Sequence, residues 1–424
     1  MLREFCHVMV ASLALSSLSM GVDTPSDWTF ACPRSEIAPD HWLEVEVSFT
    51  GAPTLALAGD DKEYAHGWWT TTIAVRPATS YEFTAHYLAR QVEEEERCVL
   101  ARLIWLDEGG ERIDQAEYPR TVADPQEWRT IRQIYKSPPA AARATLELVY
   151  RWDADGVVYF GGVSFAESAA LPPRRVRVAA VHHRPQDSTP AENLDSFKVF
   201  IERAGDAGAD IVCLPEGITL VGTGKSYLEV SETVPGPTTR FLGELAREHS
   251  LYIVAGIYEK DGPVLYNTAV LLDRTGELLG AYRKVCLPRE EIEGGITPGD
   301  AFPVFDTDFG RIGMMICWDV AFPEPARALA RKGAEMICMP IWGGNMTLAS
   351  ARAIENQIYL VSSSYDIKTG VYARSGELIA EGTESEPVAL IEIDLNERTL
   401  WPWLGDYRNR IPREMPSEKS LQAR

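Results

Sequence analysis

The chain of 424 residues is long enough for two domains, because a single hydrophobic core stops growing at about 250–300 residues. Its composition, 45% hydrophobic and 24% charged, is that of an ordinary folded protein, and no stretch is long and apolar enough to span a bilayer. The 41 basic and 62 acidic side chains give a formal net charge of -21, which repels nucleic-acid phosphates and anionic lipid. We therefore expect neither nucleic acid nor a membrane as a partner, and the excess acid most simply serves solubility.

The seven cysteines are scattered, odd in number and without CxxC spacing, which predicts neither a disulfide framework nor a zinc site. A reducing, cytoplasmic compartment fits this usage. Arg3 and the apolar stretch at residues 8–18 also fit a weak secretory signal. Glu4 and the lack of a small-x-small cleavage site speak against it, so we favour the cytoplasm and keep export as the alternative.

Residues 1–170 are predicted to form an all-β sandwich. Apolar and polar residues alternate in short runs that Gly, Pro and Asp clusters separate, which is typical of strands. The runs are residues 42–47, 69–75, 81–87, 99–106, 144–150 and 157–165. Many short strands with little helical pattern indicate a sandwich. Residues 171–175 are the predicted linker, because consecutive prolines cannot continue a sheet.

Residues 174–400 are predicted to form an α/β domain, because strand and helix patterns alternate there. The predicted strands are residues 176–181, 210–215, 252–257, 267–272, 278–283, 312–316, 336–340, 360–364 and 388–393. The predicted helices are residues 191–207, 237–249, 324–332 and 349–357. The C-terminal tail, residues 401–424, is rich in Pro, Trp and charge and is predicted to be irregular.

Three side chains that can carry chemistry follow predicted strands, where open α/β sheets place their ligands. Glu216 lies between Pro and Gly after a buried strand, where partial desolvation would raise its pKa toward that of a general base. Lys284 precedes a Pro-containing loop and can place its ammonium against an oxyanion. Cys317 ends an apolar strand and is a candidate nucleophile. Taken singly, each has an ordinary alternative: a loop glutamate, a solvated lysine or a buried structural cysteine.

The order of these residues and the motifs around them indicate a protein family more specifically than any one residue does. A Glu follows the second strand of the domain, a Lys precedes a Pro-containing loop, and a Cys stands in Ile-Cys-Trp-Asp. This combination resembles the nitrilase superfamily of carbon–nitrogen hydrolases over about residues 176–410. The similarity continues at residues 322–327, 333–335, 340–342 and 352–356. The resemblance implies an α-β-β-α sandwich, commonly paired into homodimers or larger homo-oligomers, and a reaction that needs no metal or organic cofactor.

The resemblance also implies a role for each candidate. Glu216 would accept the proton of Cys317 and later activate water. Cys317 would attack the carbonyl or nitrile carbon and form a thioester. Lys284 and the backbone amide of Trp318 would hold the oxyanion, and we expect Trp318 and Trp342 to contact the substrate.

The loop after the lysine, residues 289–300, is where many members carry a second glutamate before Pro-Gly-Asp. Three glutamates compete here, and we choose Glu291, with Glu293 as the reserve and Glu290 as the third. Members usually have His two residues after the lysine, whereas this sequence has Cys286. We interpret that departure as a changed supporting contact, with a second reactive thiol as the alternative.

The N-terminal domain resembles a galactose-binding-type jelly roll, although no motif fixes this. Tyr64, His66, Trp68 and Trp69 either line a glycan-binding face or belong to the sandwich core. In the tail, residues 401–404 suit a homodimer interface, where aromatic residues are enriched, or core packing.

The predicted function is hydrolysis of a non-peptide carbon–nitrogen bond in a small amide-like substrate. Cys-Trp-Asp at residues 317–319 favours amidase-like members. Hydrolysis of a nitrile or an N-carbamoyl compound on the same triad is the nearest alternative. A non-catalytic binding protein that uses the β domain is the second, and a Cys-His hydrolase that uses His182 or His183 is the third.

Overall fold

The computed structural model describes residues 25–122, 127–417 and 420. The signal-like segment predicted at residues 8–18 lies outside these ranges. The chain divides into two compact units: one holds the described residues up to Leu171 and those from Leu400 onward, and the other is Pro172–Thr399. The segment considered above as a separate tail thus belongs to the unit of the N-terminal strands. No helix in the described ranges is long and apolar enough to cross a membrane.

The first unit is built from strands. They are β1 (Thr29–Ala31), β2 (Asp40–Glu44), β3 (Thr54–Ala58), β4 (His66–Ala74), β5 (Ser80–Arg90), β6 (Val99–Leu106), β7 (Thr121–Val122), β8 (Arg129–Lys136), β9 (Arg143–Arg151) and β10 (Val157–Glu167), with one short helix, α1 (Glu95–Cys98). A four-stranded sheet has the order β1-β4-β9-β6, and a six-stranded sheet has the order β2-β3-β10-β5-β8-β7. The strand pairs described in this unit are antiparallel.

The two sheets of the first unit share one apolar cluster. Strand β5 shows why, because Phe83, Ala85 and Tyr87 alternate with half-buried polar residues and so turn one face inward. Trp69 belongs to this core and donates its indole N–H to Ala56 O at 3.1 Å, so it is not a surface residue. Tyr64, in contrast, is exposed. Strands β1, β3, β7 and β8 were not among the runs named from the sequence.

The second unit alternates strands and helices. Its elements are β11 (Arg175–Val181), α2 (Pro190–Asp206), β12 (Ile211–Cys213), α3 (Tyr227–Val230), α4 (Pro237–His249), β13 (Tyr252–Asp261), β14 (Val264–Leu272), β15 (Leu278–Arg283), α5 (Arg289–Glu293), β16 (Val304–Asp306), β17 (Arg311–Met314), a 3-10 helix (Cys317–Ala321), α6 (Pro323–Arg331), β18 (Met336–Ile341), α7 (Met346–Asn356), β19 (Tyr359–Ser364), β20 (Thr369–Tyr372), β21 (Leu378–Gly382) and β22 (Val388–Asp394).

These strands form two six-stranded sheets, β15-β14-β13-β12-β11-β22 and β16-β17-β18-β19-β20-β21. The centre of each is parallel: β11, β12 and β13 run together in the first, and β17, β18 and β19 in the second. The flanking strands are antiparallel. Fully buried strands of this kind read as continuous apolar runs, which is why the sequence predicted most of them.

Four apolar clusters lie in the described part of the second unit, and the three largest join its sheets and helices. One joins the two sheets and includes the thiols of Cys213 and Cys338. A second packs Phe197 of α2 and Leu242 of α4 on the first sheet. The third packs α6 and α7 on the second sheet through side chains such as Leu329.

The C-terminal segment contains β23 (Leu400–Trp401), β24 (Gly405–Asp406) and the helix α8 (Tyr407–Glu414). The prediction of an irregular tail was therefore wrong for these residues. The side chain of Asp406 accepts a hydrogen bond from Asn409 N and so caps the start of α8. Proline at position 412 and the high charge density hid this helix from a periodicity argument.

Candidate active site

The three predicted catalytic side chains meet because of strand direction. Glu216 follows β12, and Cys317 follows β17, each at the carboxyl end of a central parallel strand. Strand β15 is antiparallel to β14, which is antiparallel to β13, so β15 points the same way as β13 and delivers Lys284 to the same edge. Parallel strands bring residues distant in sequence together at one sheet edge.

Glu216 is almost fully buried, with 3% of its surface exposed. Its Oε1 accepts hydrogen bonds from Lys284 Nζ at 2.9 Å and from Asn267 Nδ2 at 2.7 Å. Its Oε2 accepts one from the backbone N–H of Trp342 at 2.9 Å. Tyr365 Oη donates to the carbonyl oxygen of Glu216 at 2.9 Å, which fixes the main chain as well. The carboxylate is thus held in one orientation.

Lys284 lies between two carboxylates. Its Nζ is 2.9 Å from Glu216 Oε1 and 2.9 Å from Glu291 Oε2, and only 1% of its side chain is exposed. Burial by itself lowers the pKa of Lys284, but the charges of Glu216, Cys317 and Glu291 outweigh burial and raise that pKa above its ordinary value. The ammonium is therefore a fixed positive charge in a water-poor site.

The structure brings Glu291, the chosen second glutamate, into this cluster. It is buried on α5, and burial raises the pKa of its carboxyl even though Lys284 pulls in the other direction. The reserve, Glu293, has 61% of its side chain exposed and pairs with Arg289 at 2.7 Å on the surface. Glu290 is exposed as well. Within this one helical turn, therefore, Glu291 is buried while Glu290 and Glu293 are exposed to solvent.

Asn267 was not singled out from the sequence. Its Nδ2 donates to Glu216 Oε1 at 2.7 Å and to Glu291 Oε1 at 2.6 Å, so one amide links both carboxylates. It is fully buried on β14. The available signal was a lone amide inside the apolar run of that strand, since buried polar side chains are there to make hydrogen bonds.

Cys317 begins the 3-10 helix with φ of 45°, a left-handed conformation that costs energy for any residue except glycine. Its Sγ lies 3.6 Å from the carbonyl oxygen of Gly343. Burial, the charge of Glu216 and a hydrogen bond to that carboxylate raise the thiol pKa to about 12, against lowering by Lys284 and the Trp342 amide. The resting thiol is therefore protonated at neutral pH, within reach of a base.

Asp319 fixes the turn that carries Cys317, a role the sequence did not reveal. Its Oδ2 accepts hydrogen bonds from Ile316 N at 2.9 Å and Tyr282 Oη at 2.7 Å, and its Oδ1 accepts one from Cys286 N at 2.9 Å. Asp319 is fully buried. It connects the nucleophile turn to the segment on either side of Lys284.

Cys286, the departure from the usual histidine, lies beside Asp319. Burial comes first among the causes that raise the pKa of its thiol to about 12, followed by the charge of Asp319. A thiol of that pKa is overwhelmingly protonated at neutral pH, which favours the supporting-contact interpretation over a second reactive cysteine.

The two tryptophans expected at the substrate differ in setting. Trp318 is exposed by 46% directly after the nucleophile. The ring of Trp342 packs edge-on against Tyr365 at 5.1 Å, and the Arg184 guanidinium lies 5.8 Å from its centroid.

The two histidines of the Cys-His alternative have other partners. His182 Nδ1 lies 3.0 Å from Ser364 O, and His183 Nε2 lies 3.1 Å from Ser196 Oγ. The carboxylate whose charge raises the pKa of the Cys317 thiol belongs to Glu216. Within the described ranges, no group of three or more His, Cys, Asp or Glu side chains is arranged to hold a metal ion.

A nucleophile, a buried carboxylate and a fixed cation in one cluster suit covalent hydrolysis, in which a thiol attacks a polarised carbon. Comparison with known proteins also indicates a hydrolase of carbon–nitrogen bonds. The family profile of the Carbon-nitrogen hydrolase family matches residues 177–402. The chain is 38% identical to a nitrilase of Pyrococcus abyssi over 52% of its own length and 90% of that protein. It is 33% identical to omega-amidase NIT2 of Homo sapiens over 53% of its length and 89% of that protein.

Among solved structures, a carbon-nitrogen hydrolase of Helicobacter pylori G27 aligns with a TM-score of 0.51 and 21% identity, covering 59% of this chain and 99% of that one. This likeness concerns the fold alone. The family match covers more than half of the chain, and the relatives are amidases and nitrilases. The chain therefore belongs to the carbon-nitrogen hydrolase family and is an amidase-like enzyme of the nitrilase superfamily.

Proposed function

We propose that this enzyme hydrolyses a small amide through a thioester on Cys317, with Glu216 as general base and Lys284 at the oxyanion. The observation that carries the proposal is the position of the Lys284 ammonium, 2.9 Å from both Glu216 and Glu291, within a cluster that also holds the Cys317 thiol. Nothing about ordinary folding requires a lysine and two carboxylates to be buried together, and buried ionisable clusters of this kind are typical of active sites.

The first half of the reaction transfers the acyl group to sulfur. Cys317 Sγ attacks the amide carbon while its proton passes to Glu216, and the oxyanion that forms is held by Lys284 and the backbone amide of Trp318. Glu216 then gives the proton to the departing nitrogen, the carbon–nitrogen bond breaks, and ammonia or an amine leaves.

The second half regenerates the thiol. Glu216 removes a proton from water as the water oxygen attacks the thioester carbon. The carbon–sulfur bond then breaks, the carboxylic acid forms, and Glu216 returns the proton to the Cys317 sulfur. Glu291 acts with Asn267 and Lys284 to hold the cluster in place, through its contacts of 2.6 Å and 2.9 Å with them.

An amide is the preferred substrate, and a nitrile or an N-carbamoyl compound is the alternative on the same residues. The similarity to omega-amidase NIT2 and Cys-Trp-Asp at residues 317–319 support the amide. The nitrilase of Pyrococcus abyssi keeps the nitrile in consideration.

The test is a matched pair of cysteine variants. In Cys317→Ala the release of ammonia from a panel of amides, nitriles and carbamoyl compounds should fall to background. Cys213→Ala should keep at least half of the wild-type rate, because that thiol is packed between the sheets and burial raises its pKa well above the ordinary value. Wild-type turnover in Cys317→Ala would refute the mechanism.

We also propose finer features of the molecule. The second unit is an α-β-β-α sandwich, supported by helices packed on both sheets. The first unit is a galactose-binding-type jelly roll that binds a glycan, supported by its two antiparallel sheets. The protein is a cytoplasmic homodimer or larger homo-oligomer, and the exposed ring of Trp403 in the C-terminal segment suits a contact between copies.

A further inference from the structure

The side chain of Asn267, fully buried on β14, connects three members of the cluster around Cys317. Its Nδ2 donates to Glu216 Oε1 at 2.7 Å and to Glu291 Oε1 at 2.6 Å, so the amide has one hydrogen for each carboxylate. Its main-chain carbonyl oxygen accepts a hydrogen bond from Lys284 N at 2.8 Å. The amide is therefore held in a fixed place relative to both carboxylates and to the lysine.

The two oxygens of Glu216 have different partners. Oε1 accepts hydrogen bonds from Lys284 Nζ at 2.9 Å and from Asn267 Nδ2, which occupy both of its lone pairs. Oε2 accepts one from Trp342 N at 2.9 Å, and within the described ranges no amide or ammonium side chain donates to that oxygen. The residue after Trp342, Gly343, contacts Cys317 Sγ through its carbonyl oxygen at 3.6 Å. The lone pair that can take a proton is therefore on Oε2, the oxygen bound to the segment that touches the thiol.

Glu216 and Glu291 form a carboxylate pair whose charges repel each other. Like charges that share a site favour protonation of one of them, and a protonated Glu216 could not act as a base. Burial comes first among the causes that raise the pKa of Glu291, and the charge of Glu216 acts in the same direction. Lys284 and the hydrogen bond from Asn267 lower that pKa. A hydrogen bond to the ionised form of a carboxyl group stabilises that form, so the amide works against protonation.

We propose, on the basis of the function proposed above, that Asn267 is a positioning residue whose amide keeps Glu216 and Glu291 ionised together, so that Glu216 Oε2 can accept the Cys317 proton. The Lys284 ammonium balances one of the two negative charges. The neutral amide stabilises both carboxylates through two hydrogen bonds and adds no charge of its own. Leucine at this position would remove both donors, and aspartate would add a third carboxyl group.

The other titratable groups that face the carboxylate pair keep their protons near neutral pH. Tyr258 of β13 is paired across the strands with Asn267, and the ring of Tyr227 of α3 packs on that of Tyr258 at 4.7 Å. Burial first, and then the charges of the pair, raise the pKa of both hydroxyls. The pKa of the Cys317 thiol is raised to about 12, and that of Lys284 is also raised. Among these groups, a proton taken up below neutral pH therefore belongs to the pair.

The protonation of the pair can be followed without turnover, by carbon-13 NMR of the full-length protein with labelled glutamate carboxyl groups. The signals of Glu216 and Glu291 are assigned by their loss in Glu216→Gln and Glu291→Gln. In Asn267→Leu and in Asn267→Asp, the midpoint of proton uptake should rise by at least about one pH unit, because a carboxylate without its donor binds a proton more tightly. Asn267→Asp keeps the shape of the native side chain and carries the test if the leucine variant does not fold. Unchanged midpoints would overturn the proposal.

Turnover should follow the same titration. The acid limb of kcat, measured with the amide of the ammonia-release panel that the wild type hydrolyses fastest, should move to higher pH by the same amount, because activity needs an ionised base. A side chain that only supported the fold would lower kcat at every pH and leave the limb in place. That result in both Asn267 variants would also overturn the proposal.

The matched control is Asn356→Asp. Asn356 is a buried amide of α7 in the same unit, and its Nδ2 donates to Arg352 O at 2.8 Å. The new carboxyl group would face a helix carbonyl instead of the carboxylate pair, so the NMR midpoint and the acid limb should stay at the wild-type values. These positions do not depend on how much of the variant is folded.

The two proposals fail in different ways. Turnover that depends on Cys317, combined with unchanged midpoints in the Asn267 variants, would leave the proposed function standing and refute the role of Asn267. Raised midpoints in a protein without Cys317-dependent turnover of any compound would support the action of Asn267 on the two carboxylates and refute the proposed function.

Discussion

At the scale of single residues, the Cys317 thiol is in an environment that works against its ionisation. Burial and the charge of Glu216 raise its pKa to about 12, and Lys284 opposes them only in part. The carboxylate that suppresses the thiolate is also the group that can accept its proton. Reactivity therefore arises in the encounter with substrate, when the proton moves to Glu216, and stray electrophiles meet a protonated thiol.

This arrangement predicts that thiol ionisation and turnover respond in opposite directions to Glu216→Gln. Loss of the negative charge removes a cause of the raised pKa of Cys317, so the thiolate fraction at pH 8 should rise. The rate of Cys317 alkylation by iodoacetamide at pH 8, followed by mass spectrometry, should therefore increase about tenfold or more. Amide turnover should fall about 100-fold or more, because the general base is gone.

The matched control for that experiment is Glu293→Gln on the same loop. Its carboxylate is 61% exposed and pairs with Arg289, so both the alkylation rate at pH 8 and the turnover should stay at wild-type values. An alkylation rate in Glu216→Gln equal to or below the wild-type one would contradict the electrostatic account.

At the scale of elements, hydrogen bonds join the turn from Ile316 to Asp319 to the segment from Tyr282 to Cys286. Asp319 accepts three hydrogen bonds from them, and Val285 N donates to the Tyr282 hydroxyl at 3.2 Å. Two loops that each carry a group proposed for catalysis are thereby held in position by one buried carboxylate. This is how a strained φ of 45° at Cys317 can be maintained.

Asp319→Asn should therefore lower kcat at least tenfold while the far-UV circular dichroism stays that of the wild type. The amide retains one acceptor oxygen but turns a donor toward N–H or O–H groups, and hydrogen bonds to a charged acceptor are worth about 1.5–3 kcal/mol each. Tyr282→Phe removes one of the three bonds and should lose less activity.

A matched control for the element-scale prediction is Asp306→Asn. Asp306 is an exposed carboxylate at the end of β16, in the same sheet as β17, and it pairs with Arg311. Its kcat should match that of the wild type. Full activity in Asp319→Asn would show that the turn holds its shape without the carboxylate.

At the scale of the whole molecule, the chain returns to its first unit after completing the second. Arg413 of α8 is buried and donates to Pro119 O and Asn409 O, while Arg151 of β9 donates to Arg413 O at 2.8 Å. Arg120 Nε also donates to Asn409 Oδ1. These contacts make the C-terminal segment part of the fold of the β unit, in addition to any contact between copies.

Arg413→Met should lower the free energy of unfolding of the first unit by about 2–4 kcal/mol, because it leaves buried carbonyl groups without their charged donor. Tryptophan fluorescence is the measurement, since nine of the 11 tryptophans lie in that unit. Arg132→Met, which removes an exposed ion pair with Glu82, should cost less than about 1 kcal/mol. Equal unfolding midpoints for the two variants would contradict the docking role of α8.

The sequence by itself determined which residue types stand at the ends of buried strands. Apolar runs predicted most strands of the second unit, because a strand buried on both faces leaves a continuous signal. Glu216, Lys284 and Cys317 were chosen by type, order and their place after such runs. Strands β3 and β8 and the helix α8 were not predicted from the sequence, because the conformation of short or charged segments depends on distant partners.

Only the tertiary structure decided how those groups are coupled. The sequence does not show which of Glu290, Glu291 and Glu293 faces Lys284. In the structure Glu291 is buried against Lys284 and the other two are exposed, which favours Glu291 as the proposed second glutamate. Asn267 and Asp319 gain their importance from contacts across 24 to 51 and 33 to 37 residues of sequence. A local pattern carries no information on such distances, because strand pairing and packing bring the partners together.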